Sequence, residues 1–230
     1  MLKRNVLPEK INNAEMPQPS SKILLDLAAK EMSALFDVTA KNLFKNGYSV
    51  QKNALPQVLS QILWDELNEK QPSDFNKAGI GRNKMDKINF LVRTDEISWI
   101  EGTTNSGSAW LTWIASLQAH LNEKLFLGLF SFESHFARYQ KGDFYQKHQD
   151  SFLGDNNRTL SIVIYLNKDW AAKDGGELIL YTNPDEIRIA PEFGTLVVFL
   201  SKDVPHEVLM TNCNRHSIAG WFRTINTLMI

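Results

Sequence analysis

Cysteine is almost missing from this chain: Cys213 is the only one in 230 residues. An intramolecular disulfide is excluded, and with it a secreted, disulfide-stapled scaffold, so a reducing, cytoplasmic setting is the expectation. Excess charge of one sign is missing too. Lys and Arg number 25 against 26 Asp and Glu, a formal net charge of -1. Bulk electrostatics therefore recruits neither nucleic acid nor an anionic membrane. No apolar run approaches the roughly 18 residues of a membrane span. The polar opening MLKRNVLPEKINN has no apolar stretch and is not expected to be a signal peptide. No internal repeat is evident. What remains is 43% hydrophobic and 22% charged, an ordinary globular composition able to bury a sizeable core.

The chain divides by texture. Residues 1–20 are polar, carry Pro17 and Pro19, and read as a flexible arm. Residues 21–45 read as a helical extension. Ser20-Ser21 can cap a helix through Ile23, Leu24, Leu27 and Ala28 to Leu35, and Asn46-Gly47 ends a second helical stretch. Tyr48-Ser49-Val50 begins a strand. A further helix is expected after Pro56, with Val58, Leu59, Ile62, Leu63 and Leu67 on one face. Residues 71–87 are polar, contain two glycines and read as a long loop. Another helix is expected around Trp110 to Leu121. From residue 125 onward, short strand-like runs at 128–139, 159–166, 177–182, 186–189, 195–200, 206–210 and 216–224 alternate with turn residues. That pattern indicates a sandwich or a small barrel behind a helical first half.

One constellation carries chemistry. In extended chain, residues two apart share a face, so His148 and Asp150 can both face one metal. His206 follows Pro205 at the start of a later strand-like run. Two histidines and one carboxylate leave open positions and form the ligand set of non-haem Fe(II) oxygenases; those positions suit a bidentate 2-oxo acid and O2. Arg215 lies nine residues after His206. Two strands joined by a tight turn would return it to the same cavity, where a guanidinium fork suits a carboxylate. Tyr165, on the run 162–166, can offer a second hydrogen bond.

With these residues in place, the chain resembles the prolyl 4-hydroxylase superfamily of 2-oxoglutarate oxygenases. The likeness is greatest to the egg-laying-defective-nine type, which comprises the hypoxia-inducible-factor prolyl hydroxylases and their bacterial relatives. It runs from about residue 46 to 224 and rests on Arg93 to Gly102 (RTDEISWIEG), Ile164 to Trp170 (IYLNKDW), Asp174-Gly175-Gly176 and Pro205 to Val208 (PHEV). It implies an α+β fold with a double-stranded β-helix (jelly-roll, cupin-like) core at 46–230 and N-terminal helices packed on one sheet. His148, Asp150 and His206 are implied as Fe(II) ligands and catalytic residues, and Arg215 and Tyr165 as anchors of 2-oxoglutarate. Tyr139, Leu178 and Trp221 are implied near that co-substrate, and Arg158, Asp95 and Trp99 at the substrate entrance. Residues 71–87 match a segment that closes over the substrate.

Taken without the resemblance, Tyr139, Leu178 and Trp221 serve as well in a core, and Arg158 and Asp95 as an ion pair with each other. Ala219 stands where the animal enzymes carry threonine, and the segment from Tyr139 to His148 is one residue shorter than theirs. The implied reaction is hydroxylation of a prolyl residue in a protein, with 2-oxoglutarate and O2 consumed, succinate and CO2 released, and ascorbate as a further candidate cofactor. The implied partner is a protein, with a translation factor or ribosomal protein as candidates, and the implied state a monomer or weak dimer. The rivals are the same chemistry on another side chain or a small molecule, and a non-catalytic module that senses 2-oxoglutarate. The intact triad and Arg215 speak against the last.

Overall fold

The computed structural model describes residues 21–78, 91–151 and 157–225; the arm at 1–20, including Ser20 of the expected cap, lies outside them. In chain order the elements are α1 (Ser21–Asn46), β1 (Tyr48–Gln51), α2 (Gln57–Glu69), β2 (Asn76–Lys77), β3 (Glu96–Trp99), α3 (Asn105–Leu125), β4 (Leu129–Tyr139), β5 (Tyr145–His148), β6 (Arg158–Tyr165), β7 (Leu178–Tyr181), β8 (Glu186–Ile189), β9 (Leu196–Leu200), β10 (His206–Val208) and β11 (Arg215–Thr224). Among the described residues, no helix is long and apolar enough to cross a membrane.

The two helical stretches expected before residue 46 are one helix. No Gly or Pro interrupts 21–46, so the hydrogen-bond ladder runs on until Gly47, which turns the chain at φ +78°. Phe36, Ala40 and Leu43 bury one stripe of α1. In α2, Leu59, Leu63 and Leu67 are buried at four-residue spacing, but Val58 is 74% exposed, because one residue turns the helix 100° off that stripe. Thr104 caps α3 by accepting from the Gly107 amide at 3.0 Å. Trp110, Ile114, Leu117 and Leu121 then face inward.

Two antiparallel sheets form the β half. One has seven strands in the order β1-β9-β6-β11-β4-β3-β2, the other four in the order β5-β10-β7-β8. Period-two alternation splits the residues of the large sheet. Phe136, Leu160, Ile162, Ile164, Leu196, Val198, Ile218 and Phe222 pack with the helices in one core. Each buried side chain there contributes about 1.5–3 kcal/mol, so this layer carries much of the stability. The alternate residues of the same strands, among them Ala137, Tyr139, Tyr165, Val197 and Phe199, face Leu178, Leu180, Ile189 and Val208 of the small sheet. The fold is the expected double-stranded β-helix with helices on one sheet.

Two expectations change. Residues 71–87 are not loop throughout. Pro72–Asp74 form a 3-10 turn and β2 pairs with β3. Phe75 lies under the Arg138 guanidinium, 4.2 Å from ring centre to Cζ, and Lys77 pairs with Glu96 at 3.1 Å. Residues 79–87 lie outside the described set. In addition, β10 and β11 are not joined by a tight turn: β10 belongs to the small sheet and β11 to the large one. The link is held across the barrel end by backbone bonds from Gly142 N to Thr211 O, Thr211 N to Asp143 O and Asn212 N to Asp174 O. Arg215 therefore reaches the cavity from the sheet opposite His206.

Candidate active site

Between the sheets lies a cavity of about 500 Å³, lined from both sides, within the size range of small-molecule sites. Strand register builds its metal-binding end. His206 on β10 pairs directly with His148 on β5, and paired residues share a face. Asp150 follows two residues after His148 and comes to the same point. One ligand atom from each of these residues lies within 4.8 Å of the others.

Each ligand is oriented by the protein. The Nδ1–H of His148 donates to the Gln146 carbonyl at 2.8 Å, and that of His206 to the Val204 carbonyl at 3.2 Å. Carbonyls only accept, so both imidazoles keep Nε2 free, at 3.6 and 3.5 Å from the Asp150 oxygens. Ser161 Oγ donates to Asp150 Oδ2 at 2.6 Å and lies 2.9 Å from Ser201 Oγ. Burial alone would push the Asp150 carboxyl up, but His206, His148 and the Ser161 bond hold it well below the usual carboxylate range. Burial pulls His206 down to about 4. A carboxylate beside a neutral imidazole is the protonation state metal binding needs, and the donor set fits a non-haem iron. Ser161→Ala should weaken metal affinity about tenfold, as loss of a ligand-orienting bond does; an unchanged affinity in a competitive chelator titration would show that Ser161 does not orient the carboxylate.

At the other end stands Arg215, 2% exposed, on β11 opposite Tyr139 of β4. Its Nε donates to the Gly176 carbonyl at 2.8 Å. Its Cζ lies 4.9 Å from the Tyr139 ring centre and 5.0 Å from that of Tyr165. No carboxylate among the described residues pairs with it, and the buried Tyr165 hydroxyl, next to this guanidinium, has no hydrogen bond of good geometry among the described residues. Burial pushes Tyr165 up to about 12 and holds Tyr139 well above its ordinary value, so both remain O–H groups. A buried cation without a counter-charge, beside an unpaired hydroxyl, fits an incoming carboxylate. Gly176 has to be glycine here: its φ is +67°, and a Cβ would stand 3.0 Å from both Arg215 Cδ and Thr211 Cβ.

The structure brings all the expected residues to this cavity: Tyr139, Leu178 and Trp221 in its wall, and Asp95, Arg158 and Trp99, the last 49% exposed, among its lining. Arg158 and Asp95 do not pair with each other. Asp95 takes a bidentate bond from Arg93 at 2.8 and 2.7 Å, and Arg158 donates to Glu133 at 3.0 Å. Glu133 also takes Arg223. Arg93 and Asp95 sit two apart in extended chain, which explains their pairing. Arg93, Glu133, Tyr145, Ser161 and His135 also stand at or beside the site, beyond the residues the sequence motifs indicate. Tyr145 stacks on His148 at 3.6 Å between ring centres, and Arg93 lies 4.3 Å from the other end of that stack, over Tyr145. Period-two spacing from Tyr165 through Val163 points to Ser161, and from Asp95 to Arg93; Glu133, Tyr145 and His135 reach the site through register across strands, which one sequence does not display.

A family model described as the 2OG-Fe(II) oxygenase superfamily matches residues 134–223. The crystal structure of a Pseudomonas putida prolyl-4-hydroxylase aligns at 36% identity and TM-score 0.76, over 83% of this chain and all of that one. A Trichoplax adhaerens prolyl hydroxylase, in complex with a hypoxia inducible factor oxygen degradation domain peptide fragment, aligns at 27% identity and TM-score 0.76, over 86% of this chain and 92% of that one. Human Egl nine homolog 1 is 28% identical over 191 residues, 77% of this chain and 44% of the human protein. The chain spans about half the length of the Egl nine relatives it matches. Fold and triad together define a non-haem Fe(II), 2-oxoglutarate oxygenase. This chain belongs to the 2OG-Fe(II) oxygenase superfamily, in its prolyl 4-hydroxylase branch.

Proposed function

We propose that this protein hydroxylates a prolyl residue presented by another protein. One observation carries the reading. Among the described residues lining the cavity, Arg215 alone is a charged group without a protein counter-charge. Lys77 has Glu96, Arg93 has Asp95, Arg158 has Glu133, and Asp150 faces two histidines. The site thus takes one anion, 2-oxoglutarate, and a second ligand with no net charge. A free amino acid would bring an ammonium and a carboxylate into a desolvated space with no partner for either. A peptide segment brings none, and proline's fixed φ lowers its ordering entropy.

In this reading His148, Asp150 and His206 hold Fe(II), and Arg215 and Tyr165 receive the distal carboxylate of 2-oxoglutarate. Tyr139, Leu178 and Trp221 wall that co-substrate. Asp95, Trp99 and Arg158 line the approach. Bound iron would supply the redox chemistry, in which one atom of O2 enters succinate as CO2 leaves and the other enters a prolyl C–H bond. The chain's own part is to exclude water, keep Nε2 of both histidines free and orient the two substrates. Residues 46–230 form the catalytic domain, with 21–45 as its helical extension, working in the cytoplasm as a monomer or weak dimer.

Mass spectrometry of the host proteome with and without the protein tests this reading, with translation factors and ribosomal proteins examined first. A proline that gains oxygen only when the protein is present is the expected result. Efficient succinate release with free L-proline, and none with any protein or peptide, would overturn the substrate class.

A further inference from the structure

His135 lines the cavity yet has no part in the roles assigned above. It is 3% exposed, in the middle of β4. Its register partners are Trp99 on β3 and Ala219 on β11. The imidazole meets the Trp99 ring edge-on at 5.2 Å and the Trp221 ring at 5.5 Å. Ala219, with only a methyl group, leaves space beside it.

The tautomer follows from its one hydrogen bond. Nδ1 lies 3.3 Å from the Phe136 carbonyl. A carbonyl cannot donate, so Nδ1 carries the hydrogen and Nε2 keeps its lone pair. Burial pulls this imidazole down to about 4, with Asp95 opposing and Arg93 assisting, so the ring stays neutral. No described donor reaches Nε2. His135 lines the cavity, so this neutral imidazole between two tryptophans offers an acceptor there, and a substrate that covered it without supplying a donor would leave it unpaired at a cost.

We propose that Nε2 of His135 reads the substrate backbone by accepting the N–H of a residue flanking the target proline. The inference rests on the prolyl reading above. Proline has no N–H of its own, so the donor must belong to a neighbour, and an N–H buried in the cavity needs an acceptor, which Nε2 of His135 supplies. The site then selects against a second proline at the contacted position, since that residue has no hydrogen to give.

The test uses the iron- and 2-oxoglutarate-loaded protein and a library of short, end-blocked peptides with one central proline and randomised neighbours. Turnover is read as an added oxygen on proline. The best member is remade with an N-methyl group on the preceding residue, or on the following one. In the wild type, one of the two changes should lower kcat/KM by about tenfold. In His135→Phe the same change should cost less than about twofold, and His135→Gln, which restores an acceptor, should recover part of the dependence. Equal penalties in wild type and His135→Phe would overturn the proposal. So would the absence of any N-methyl penalty in the wild type, a result that needs no folded variant. Turnover of no prolyl peptide or protein by the wild type would instead bring down the hydroxylase reading, and this inference with it.

Discussion

Asp150→Asn should lose metal affinity, and with it turnover, by more than about a hundredfold, because losing a ligand exceeds the 10- to 100-fold cost of losing a group that merely orients one. The substitution keeps the shape of the side chain and removes its charge. Asp150 is buried, and among the described residues His206, His148 and the Ser161 hydroxyl stabilise its carboxylate. A divalent ion at this point would lose the one anionic ligand of the three. The fold should survive, because an amide still accepts from Ser161 and no buried charge is left alone. Iron content after reconstitution, succinate release and a melting curve check the three parts separately. Near-wild-type turnover would remove Asp150 from the ligand set, and loss of folding would mean that the carboxylate is structural.

Arg215→Met should separate ligand affinity from stability. Removing one partner of a buried charge pair costs about 3 kcal/mol, which is a loss of 2-oxoglutarate affinity of about a hundredfold or more. The effect on the free protein has the opposite sign. Without 2-oxoglutarate, Arg215 is a buried guanidinium with no carboxylate partner among the described residues and one bond, to the Gly176 carbonyl. Replacing such a charge by an apolar side chain of similar length is neutral or stabilising. The free variant should therefore melt at or above the wild type. At a hundred times its dissociation constant, 2-oxoglutarate adds about 2.7 kcal/mol to the wild type, and the variant should show almost none of that gain. A variant that keeps its 2-oxoglutarate-dependent melting shift would exclude Arg215 as the anchor.

Local pattern made much of this molecule legible. The strand-like runs at 186–189 and 195–200 coincide with β8 and β9 to within a residue, because alternation and turn residues are short-range signals. His148-x-Asp150 and Pro205-His206 are short-range too. Spacing puts Arg215 in the right cavity by the wrong path. Spacing alone permits a hairpin, whereas the Thr211 backbone bonds to Gly142 and Asp143 carry the chain across to the other sheet. The partners of Arg158 and Asp95 were exchanged for the same reason: Glu133 reaches Arg158 from a non-adjacent strand, and no one-dimensional spacing encodes that. Tyr145 and His135 sit at the site through cross-strand pairing, and each taken singly looks like an ordinary core aromatic.

The large sheet has a consequence for how such an enzyme changes over time. Along β6 and β11 the residues facing the helices and those facing the cavity are successive letters of one strand. Ile162, Ile164, Ile218 and Phe222 hold the core, while Ser161, Val163, Ser217 and Ala219 line the cavity. A substitution at any second position can thus alter the cavity without disturbing the helix-facing core. Drift toward a new substrate and retention of a folded state are then nearly independent, and Ala219, directly across from His135, is a position where one added methyl or hydroxyl would change what the cavity admits at little cost to the fold.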